Sequence, residues 1–214
     1  MTLQPKIYIA DLAAYHAGKL YGVWIDADQD AEAIHEQIDN MLMASPAPNI
    51  HSIDFFCVGC RAEFKAWEHV PDTCPKCKDE TPAFIVTHEM HRAEGWAIHN
   101  YENFGGYHVH DYESIETISR IAHLLVKYGE PFAAYLVHAG GMSSDIENNF
   151  QDAFCGIYES QMDFAVKSFD NAHHIPDDLA PYINYEKVRR DLFTGDYWSA
   201  RLNKGTVAVF RRIG

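Results

Sequence analysis

The chain has 214 residues, and its content of 47% hydrophobic and 13% aromatic residues excludes a disordered protein. It carries 31 Asp and Glu against 17 Lys and Arg, a net charge of −14, so we expect it to repel nucleic acid and to fit a basic partner. No apolar run is long enough to span a membrane and no signal peptide is recognisable, so we expect a soluble, cytoplasmic protein without membrane contact.

The N-terminal part of the sequence predicts a small sheet with one helix. β-Branched and aromatic residues predict strands at residues 6–10 and 20–25, and a further strand at 96–101. Between them, residues 26–45 predict an amphipathic helix. The apolar residues that share one face of this helix are Ala31, Ile34, Ile38, Met41 and Leu42.

Residues 50–92 differ from their surroundings in composition. They hold 7 acidic and 5 basic residues and four of the five cysteines of the chain. They stand between the predicted helix and the predicted strand at 96–101. Because loops tolerate long insertions, we interpret them as a small module inserted into the N-terminal domain.

Helical patterns dominate the middle of the chain. They predict helices at residues 112–127, from Pro131 to Gly140, from Ser144 to about Cys155, and at 161–171. Short connections between these helices are typical of a compact helical domain.

The C-terminal residues predict one more helix and a β-hairpin. Asn184 caps a helix at 185–193, and strands at 197–202 and 206–211 are joined by Asn203-Lys204-Gly205. The predicted class is therefore α+β, in three small domains. These are an N-terminal α+β domain at 1–111 with the insert at about 50–92, a helical domain at 112–156 and a C-terminal α+β domain at 157–214.

Acidic residues are concentrated in residues 93–198. This stretch has 17 Asp and Glu against 6 Lys and Arg, a net of −11, and the acids recur between apolar residues at helical spacing. The pattern indicates a folded body with a negative surface, since a disordered acidic tail would lack the apolar residues. A surface of this kind serves either solubility alone or a basic partner.

Four cysteines form two Cys-x-x-Cys motifs, Cys57-Val-Gly-Cys60 and Cys74-Pro-Lys-Cys77. This spacing is typical of four thiolates around one structural Zn²⁺, with no open position for metal chemistry. A redox pair is disfavoured because there are two motifs and no βαβ pattern. About 40 residues bury too little core alone, so the metal is expected to stabilise the module.

No catalytic motif is recognisable, and we predict that the protein is not an enzyme. His88-Glu89-Met90-His91 has its histidines three residues apart, whereas the metalloprotease motif needs four. Surface histidines are the better interpretation. Cys155 lies among apolar residues and is expected to be a buried thiol in a helix.

Three separate blocks resemble the ArdA family of antirestriction proteins, in that family's order. The first is KIYIADLAAYHAGKLYGVWIDADQD at residues 6–30. The second is WAIHNYENFGG at 96–106 with YESI at 112–115, and the third is DLFTGDYW at 191–198 with VAVFRR at 207–212. The resemblance covers nearly the whole chain except residues 50–92, which family members of the usual length lack.

The resemblance implies an elongated, three-domain, homodimeric mimic of bent DNA. Such a protein occupies the DNA-binding groove of type I restriction-modification complexes and protects incoming mobile DNA, without binding nucleic acid itself. At DNA's spacing of about 1.7 Å per charge, the net charge of a dimer matches about 14 base pairs. The acids expected to imitate phosphates are Asp26, Asp28, Asp30, Glu32, Glu36, Glu102, Asp111, Glu113, Glu116, Asp145, Glu147, Asp152, Glu159, Asp163, Asp177 and Asp178.

The C-terminal domain is the expected dimer interface. Residues 199–214 contain Arg201, Lys204, Arg211 and Arg212 and no acid, which offsets the repulsion between two acidic bodies. The strand at 207–210 is expected to add apolar contact.

Two other functions stay open at the level of sequence. In a zinc-ribbon adaptor of transcription or replication, residues 50–92 would be the working part and their basic side chains would cluster. In a metal-dependent hydrolase, His88, Glu89 and His91 would hold a metal with an open coordination position.

Overall fold

The computed structural model describes residues 3–173, 175–176 and 178–212. The chain forms two compact units. The N-terminal unit comprises Lys6–Glu102 and Val109–Ser119, and the C-terminal unit comprises residues 3–5, Asn103–His108 and the described residues from Arg120 onward. None of the helices in the described ranges has the length and apolarity needed to cross a membrane.

The N-terminal unit contains two three-stranded antiparallel sheets. Its elements are β1 (Lys6–Asp11), α1 (Leu12–His16), β2 (Gly22–Asp26), α2 (Ala31–Met43), β3 (Ile50–Cys57), β4 (Glu63–Trp67), β5 (Phe84–Arg92) and β6 (Trp96–Glu102). The first sheet has the order β2-β1-β6 and buries Ile7, Ile9 and Ile25. α2 buries the predicted face with Ile34 and Ile38. It begins at Ala31, five residues later than predicted, because Asp26 is the last residue of β2 and residues 27–29 form a bend before the helix.

Residues 50–92, the inserted module, have a sheet of their own. Its strand order is β4-β3-β5, with β3 in the centre. Phe55 of β3 is buried and contacts the rings of Phe64 and Phe84 on the two neighbouring strands. Because only a few of its side chains are buried, the module has little hydrophobic core with which to hold its own fold.

The C-terminal unit packs helices against a third antiparallel sheet. Its elements are α3 (Ile115–Tyr128), whose first five residues belong to the N-terminal unit, α4 (Glu130–Ala139), α5 (Ile146–Ala153), β7 (Phe154–Tyr158), α6 (Gln161–Ala172), a 3-10 turn (Ala180–Tyr182), α7 (Tyr185–Thr194), β8 (Tyr197–Arg201) and β9 (Val207–Arg211). The α+β class is confirmed. The predicted hairpin is present as β8–β9, and Asn184 caps α7 as predicted.

The helix predicted from Ser144 to about Cys155 ends two residues early. Phe154–Tyr158 instead forms the strand β7, which pairs with β9. A short apolar run is compatible with either a helix or a strand. Here the run forms a strand because it pairs with the edge of β9 that β8 leaves open. Cys155 therefore lies in a strand, half-buried, and burial raises the pKa of its thiol.

Aromatic side chains form the core of the C-terminal unit. Phe150 contacts Phe132 at 5.4 Å and Phe154 at 5.2 Å between ring centroids, and Trp198 stacks on Phe210 at 4.2 Å. β9 is the central strand of its sheet, and its residues 208–210 are fully buried. The prediction that this strand supplies apolar contact to a second copy is therefore wrong, because its side chains pack inside its own unit.

Candidate metal centre and acidic surface

The two Cys-x-x-Cys motifs fold into turns with the same hydrogen bonds. In the first turn, the Cys57 N–H donates to the Ala62 carbonyl at 3.0 Å and the Arg61 N–H donates to the Cys57 carbonyl at 2.8 Å. In the second turn, the equivalent pairs are Cys74 with Asp79 and Lys78 with Cys74, both at 3.0 Å. Arg61 and Lys78 occupy equivalent positions and both have positive φ angles, 52° and 62°. Non-glycine residues adopt this conformation uncommonly, so its repetition marks the two turns as equivalent structures.

The four sulfur atoms converge with spacings suited to one metal ion. All four Sγ atoms lie within 4.8 Å of one another. The Cys57–Cys77 distance is 4.0 Å and the Cys60–Cys74 distance is 3.7 Å, far too long for disulfides. A tetrahedral Zn²⁺ with bonds of about 2.3 Å places its sulfurs about 3.8 Å apart. The cysteines predicted from the sequence therefore form a site that a single ion fits.

The thiols of this site do not ionise equally. Burial raises the pKa of Cys74, but hydrogen bonds from the backbone N–H groups of Cys77 and Lys76 outweigh burial and bring it to about 6. A backbone hydrogen bond at Asp79 lowers the pKa of Cys77, yet its contacts with the other sulfurs, led by Cys74, raise it to about 12. One thiolate thus forms readily, and a full set of four needs a cation to offset the accumulated charge.

Five of the predicted phosphate-mimicking acids occur within eleven residues at the end of β2 and the start of α2. Asp26, Asp28, Asp30, Glu32 and Glu36 are all exposed. Glu32 and Glu36 stand about one turn apart on the exposed face of α2, so their Cβ atoms lie about 5–6 Å from each other. Asp26 is also bound by Lys6, with 3.3 Å between Nζ and Oδ1.

Three of the predicted acids are half-buried and take part in internal contacts. Glu147 accepts hydrogen bonds from Lys127 at 2.8 Å and from Tyr128 at 2.9 Å, and the Lys127 bond is the main reason that its pKa is lowered. Asp163 pairs with Lys167 at 2.9 Å, and Glu113 accepts from the His110 N–H at 3.3 Å. These carboxylates serve the fold as well as the surface charge.

The remaining predicted acids that the structure describes are exposed, namely Glu102, Asp111, Glu116, Asp145, Asp152, Glu159 and Asp178. Glu116 lies 3.4 Å from the ring of His35. Asp177 is outside the described residues. Outside the inserted module, the exposed acids that do not belong to the predicted set are Asp39, Glu94, Asp170, Glu186, Asp191 and Asp196. These acids are recognised only by their exposure in the folded chain, and no sequence pattern predicts that exposure.

The negative charge is distributed unequally between the units. The N-terminal unit carries 19 Asp and Glu against 7 Lys and Arg, a net of −12, and the C-terminal unit carries 12 against 10, a net of −2. Without the inserted module, the N-terminal unit has 12 acids and 2 bases in 65 residues. We term these residues, 6–49, 93–102 and 109–119, the acidic body. The stretch 93–198 singled out in the sequence therefore belongs to both units.

The structure does not bring together His88, Glu89 and His91 as a site. Side chains alternate along a strand, so His88 points to the opposite face of β5 from the other two. Glu89 and His91 instead meet His51 of β3. Hydrogen bonds from His51, then from His91, lower the pKa of the Glu89 carboxyl.

Comparison with known protein families gives a match that covers most of the chain. The model of a family described as Antirestriction protein (ArdA) matches residues 7–205, a range that includes both units and the inserted module. No curated protein matches the chain.

Proposed function

This chain belongs to the ArdA family of antirestriction proteins, and we propose that it inhibits type I restriction-modification enzymes by occupying their DNA-binding groove in place of DNA. The observation that carries this proposal is the acidic body, with 12 carboxylates and only 2 basic residues in 65 residues. Through this inhibition the protein protects incoming mobile DNA from cleavage.

Carboxylates recur at short intervals on this surface, as phosphates do along DNA. The Cβ atoms of Glu32 and Glu36 lie about 5–6 Å apart, and one DNA strand carries a charge for about every 3.4 Å of helix axis. A DNA-binding groove carries Lys and Arg placed for phosphates, so it offers the same contacts to these acids. We assign the leading role to Asp26, Asp28, Asp30, Glu32 and Glu36, which share one region and are all exposed.

The four cysteines are proposed to hold one structural Zn²⁺. When bound, the ion fixes the two turns relative to each other and so stabilises a module with few buried side chains. Cys57, Cys60, Cys74 and Cys77 fill the four positions of a tetrahedral ion, so the cysteines serve the fold of the module rather than a reaction.

The C-terminal unit is proposed to form a two-fold dimer. Arg201, Lys204, Arg211 and Arg212 are all exposed around the β8–β9 hairpin, where they offset the repulsion between two acidic chains. Since β9 is central and buried, the free edges for contact are β7 and β8. Light scattering at micromolar concentration should give twice the chain mass, and a monomer mass would contradict the dimer.

A displacement experiment tests the proposed function. A type I complex is bound to fluorescently labelled duplex DNA, and the protein is added while anisotropy is followed. We expect stoichiometric release of DNA, reversed by excess unlabelled duplex and weakened by salt. Inhibition of cleavage while the labelled DNA stays bound would exclude competition for the groove.

A further inference from the structure

The inserted module carries a second cluster of metal-binding side chains, at the end of its sheet remote from the cysteines. His51 and His91 are directly opposite each other in the β3–β5 register. Glu89 precedes His91 by two residues and therefore points to the same face of the sheet. About 20 Å of strand separates His51 from Cys57, at about 3.3 Å per residue.

Distances within this cluster fit one metal ion. The Nε2 atom of His51 lies 2.7 Å from Oε1 of Glu89, and that of His91 lies 3.4 Å from the same oxygen. Ligand atoms bonded at about 2.0–2.2 Å lie about 2.8–3.6 Å apart for bond angles between 90° and 109°. The 3.4 Å separation lies within this range, and the 2.7 Å separation, a hydrogen-bond length, has to widen slightly for both atoms to bind one ion. The three donor atoms all lie within 4.8 Å of one another.

We propose that His51, Glu89 and His91 bind one divalent first-row transition metal ion, separate from the ion of the four cysteines. Two imidazoles and a carboxylate are a donor set that zinc and iron accept, with positions left open. The side chains are 25%, 51% and 55% exposed for His51, Glu89 and His91, so solvent reaches the open positions.

An ion in this site joins the two strands that connect the module to the acidic body. β3 follows α2, and β5 leads into β6. The adjacent Arg92 already contacts Asp39 of α2 at 3.3 Å. The cysteines would hold one end of the module, where β3 ends at Cys57, and this cluster would join β3 and β5 at the other end.

The simpler alternative is that the cluster is only a hydrogen-bonded group. The rings of His51 and His91 stack at 3.9 Å between centroids with 15° between planes, and Glu89 already accepts from both. Such a group needs no metal. The two possibilities differ in the number of ions that the protein binds and in the effect of each histidine.

Equilibrium dialysis of the full chain against Zn²⁺ distinguishes them. We expect two ions per chain, one tight and one weaker and exchangeable. His91→Gln should abolish the weaker binding or reduce its affinity at least about tenfold. Even the substitution of a residue that only hydrogen-bonds to a metal ligand typically lowers metal affinity about 10–100-fold. His88→Gln is the matched control, because it removes an exposed histidine of the same strand from the opposite face, and both ions should remain.

Two further measurements complete the test. Glu89→Gln keeps the hydrogen-bonding capacity but removes the charge, and it should also weaken the second ion. Retention of the tight ion shows that each variant is folded. A stoichiometry of one, or a second ion lost equally in His88→Gln and His91→Gln, would overturn the proposal.

Discussion

The acidic body and the C-terminal unit contain the same number of acids, 12 each, yet their charges differ. The acidic body has only 2 basic residues, whereas the C-terminal unit has 10. In the C-terminal unit the bases pair locally with acids, as in Lys127–Glu147, Lys167–Asp163 and Arg189–Glu186. The greater net negative charge of the acidic body thus comes from its small number of basic residues, and not from additional acids. Counting acids alone would miss this difference.

The largest expected effect concerns the inserted module, which belongs to the N-terminal unit but contributes a net charge of only −2. Cys74→Ser, or strong chelation, should remove the metal, whose binding is worth about 10–16 kcal/mol in small zinc domains. Hydrogen exchange should then show loss of protection in residues 50–92. Displacement of DNA from the type I complex should change less than about threefold, because the acidic body keeps its charge.

Two outcomes would contradict this prediction for the inserted module. Increased exchange in β1 and β6 would show that the fold of the acidic body depends on the module. Loss of inhibition without such unfolding would show that the module contacts the target, which is the adaptor-like role considered from the sequence.

A core substitution tests whether the two units are independent folds. Phe150→Ala removes the ring that contacts Phe132 and Phe154, and a buried Phe→Ala change costs about 3–5 kcal/mol. Hydrogen exchange should rise in β7, β8 and β9 and stay unchanged in β1 and β2. Equal loss of protection in both sheets would mean that they unfold together.

Neutralising acids in matched sets tests where inhibition originates. Asp30→Asn, Glu32→Gln and Glu36→Gln together remove three charges from the acidic body. A single exposed ion pair contributes about 0–1 kcal/mol, so the loss of three such contacts should raise the half-inhibitory concentration about tenfold. Asp30 makes no side-chain cap bond to α2, and Asn is an equally good cap, so the helix should persist.

The matched control removes three exposed charges from the C-terminal unit. Asp170→Asn, Asp191→Asn and Asp196→Asn affect acids outside the predicted phosphate-mimicking set and change the net charge by the same amount, so inhibition should weaken less than about threefold. Equal effects of the two sets would mean that total charge alone matters. A single substitution that abolished inhibition would point to one dominant contact and contradict distributed mimicry.

Local sequence patterns predicted much of this structure, because their information lies in neighbouring residues. The Cys-x-x-Cys turns, the apolar face of α2 and the Asn184 cap are examples. Features set by pairing between distant residues were not predicted. β7 exists because β9 offers a free edge, and the His51–Glu89–His91 cluster depends on a register that joins residues 40 positions apart.

The difference in net charge between the acidic body and the C-terminal unit was not predicted from the sequence for the same reason. Residues 109–119 fold with the N-terminal unit, although the helix that they begin continues into the C-terminal unit. A continuous window such as 93–198 therefore mixes acids with few basic neighbours and acids that are locally paired. The resemblance predicted the antirestriction family but not which acids pair with bases, because basic partners such as Lys127 come from other turns and helices.

The smallest expected effect concerns a paired acid, Glu147 of α5. Lys127 and Tyr128 lower its pKa in the folded chain, so the carboxylate stabilises the fold above its unfolded pKa of about 4.3. That stability is lost as the pH falls through the lower, folded pKa. Glu147→Gln should therefore lower the melting temperature slightly at pH 7. This difference should shrink as the pH falls below about 4.3 and disappear once the pH is below the folded pKa.

Asp152→Asn is the control for this prediction, since it removes a charge from the exposed side of the same helix. Its melting temperature should follow that of the unmodified chain at both pH values. If Asp152→Asn and Glu147→Gln lowered the melting temperature equally at pH 7, the Lys127 pair would contribute nothing specific. Local pairing at this position would then not stabilise the C-terminal unit, and the contrast between the two regions would rest on their numbers of basic residues alone.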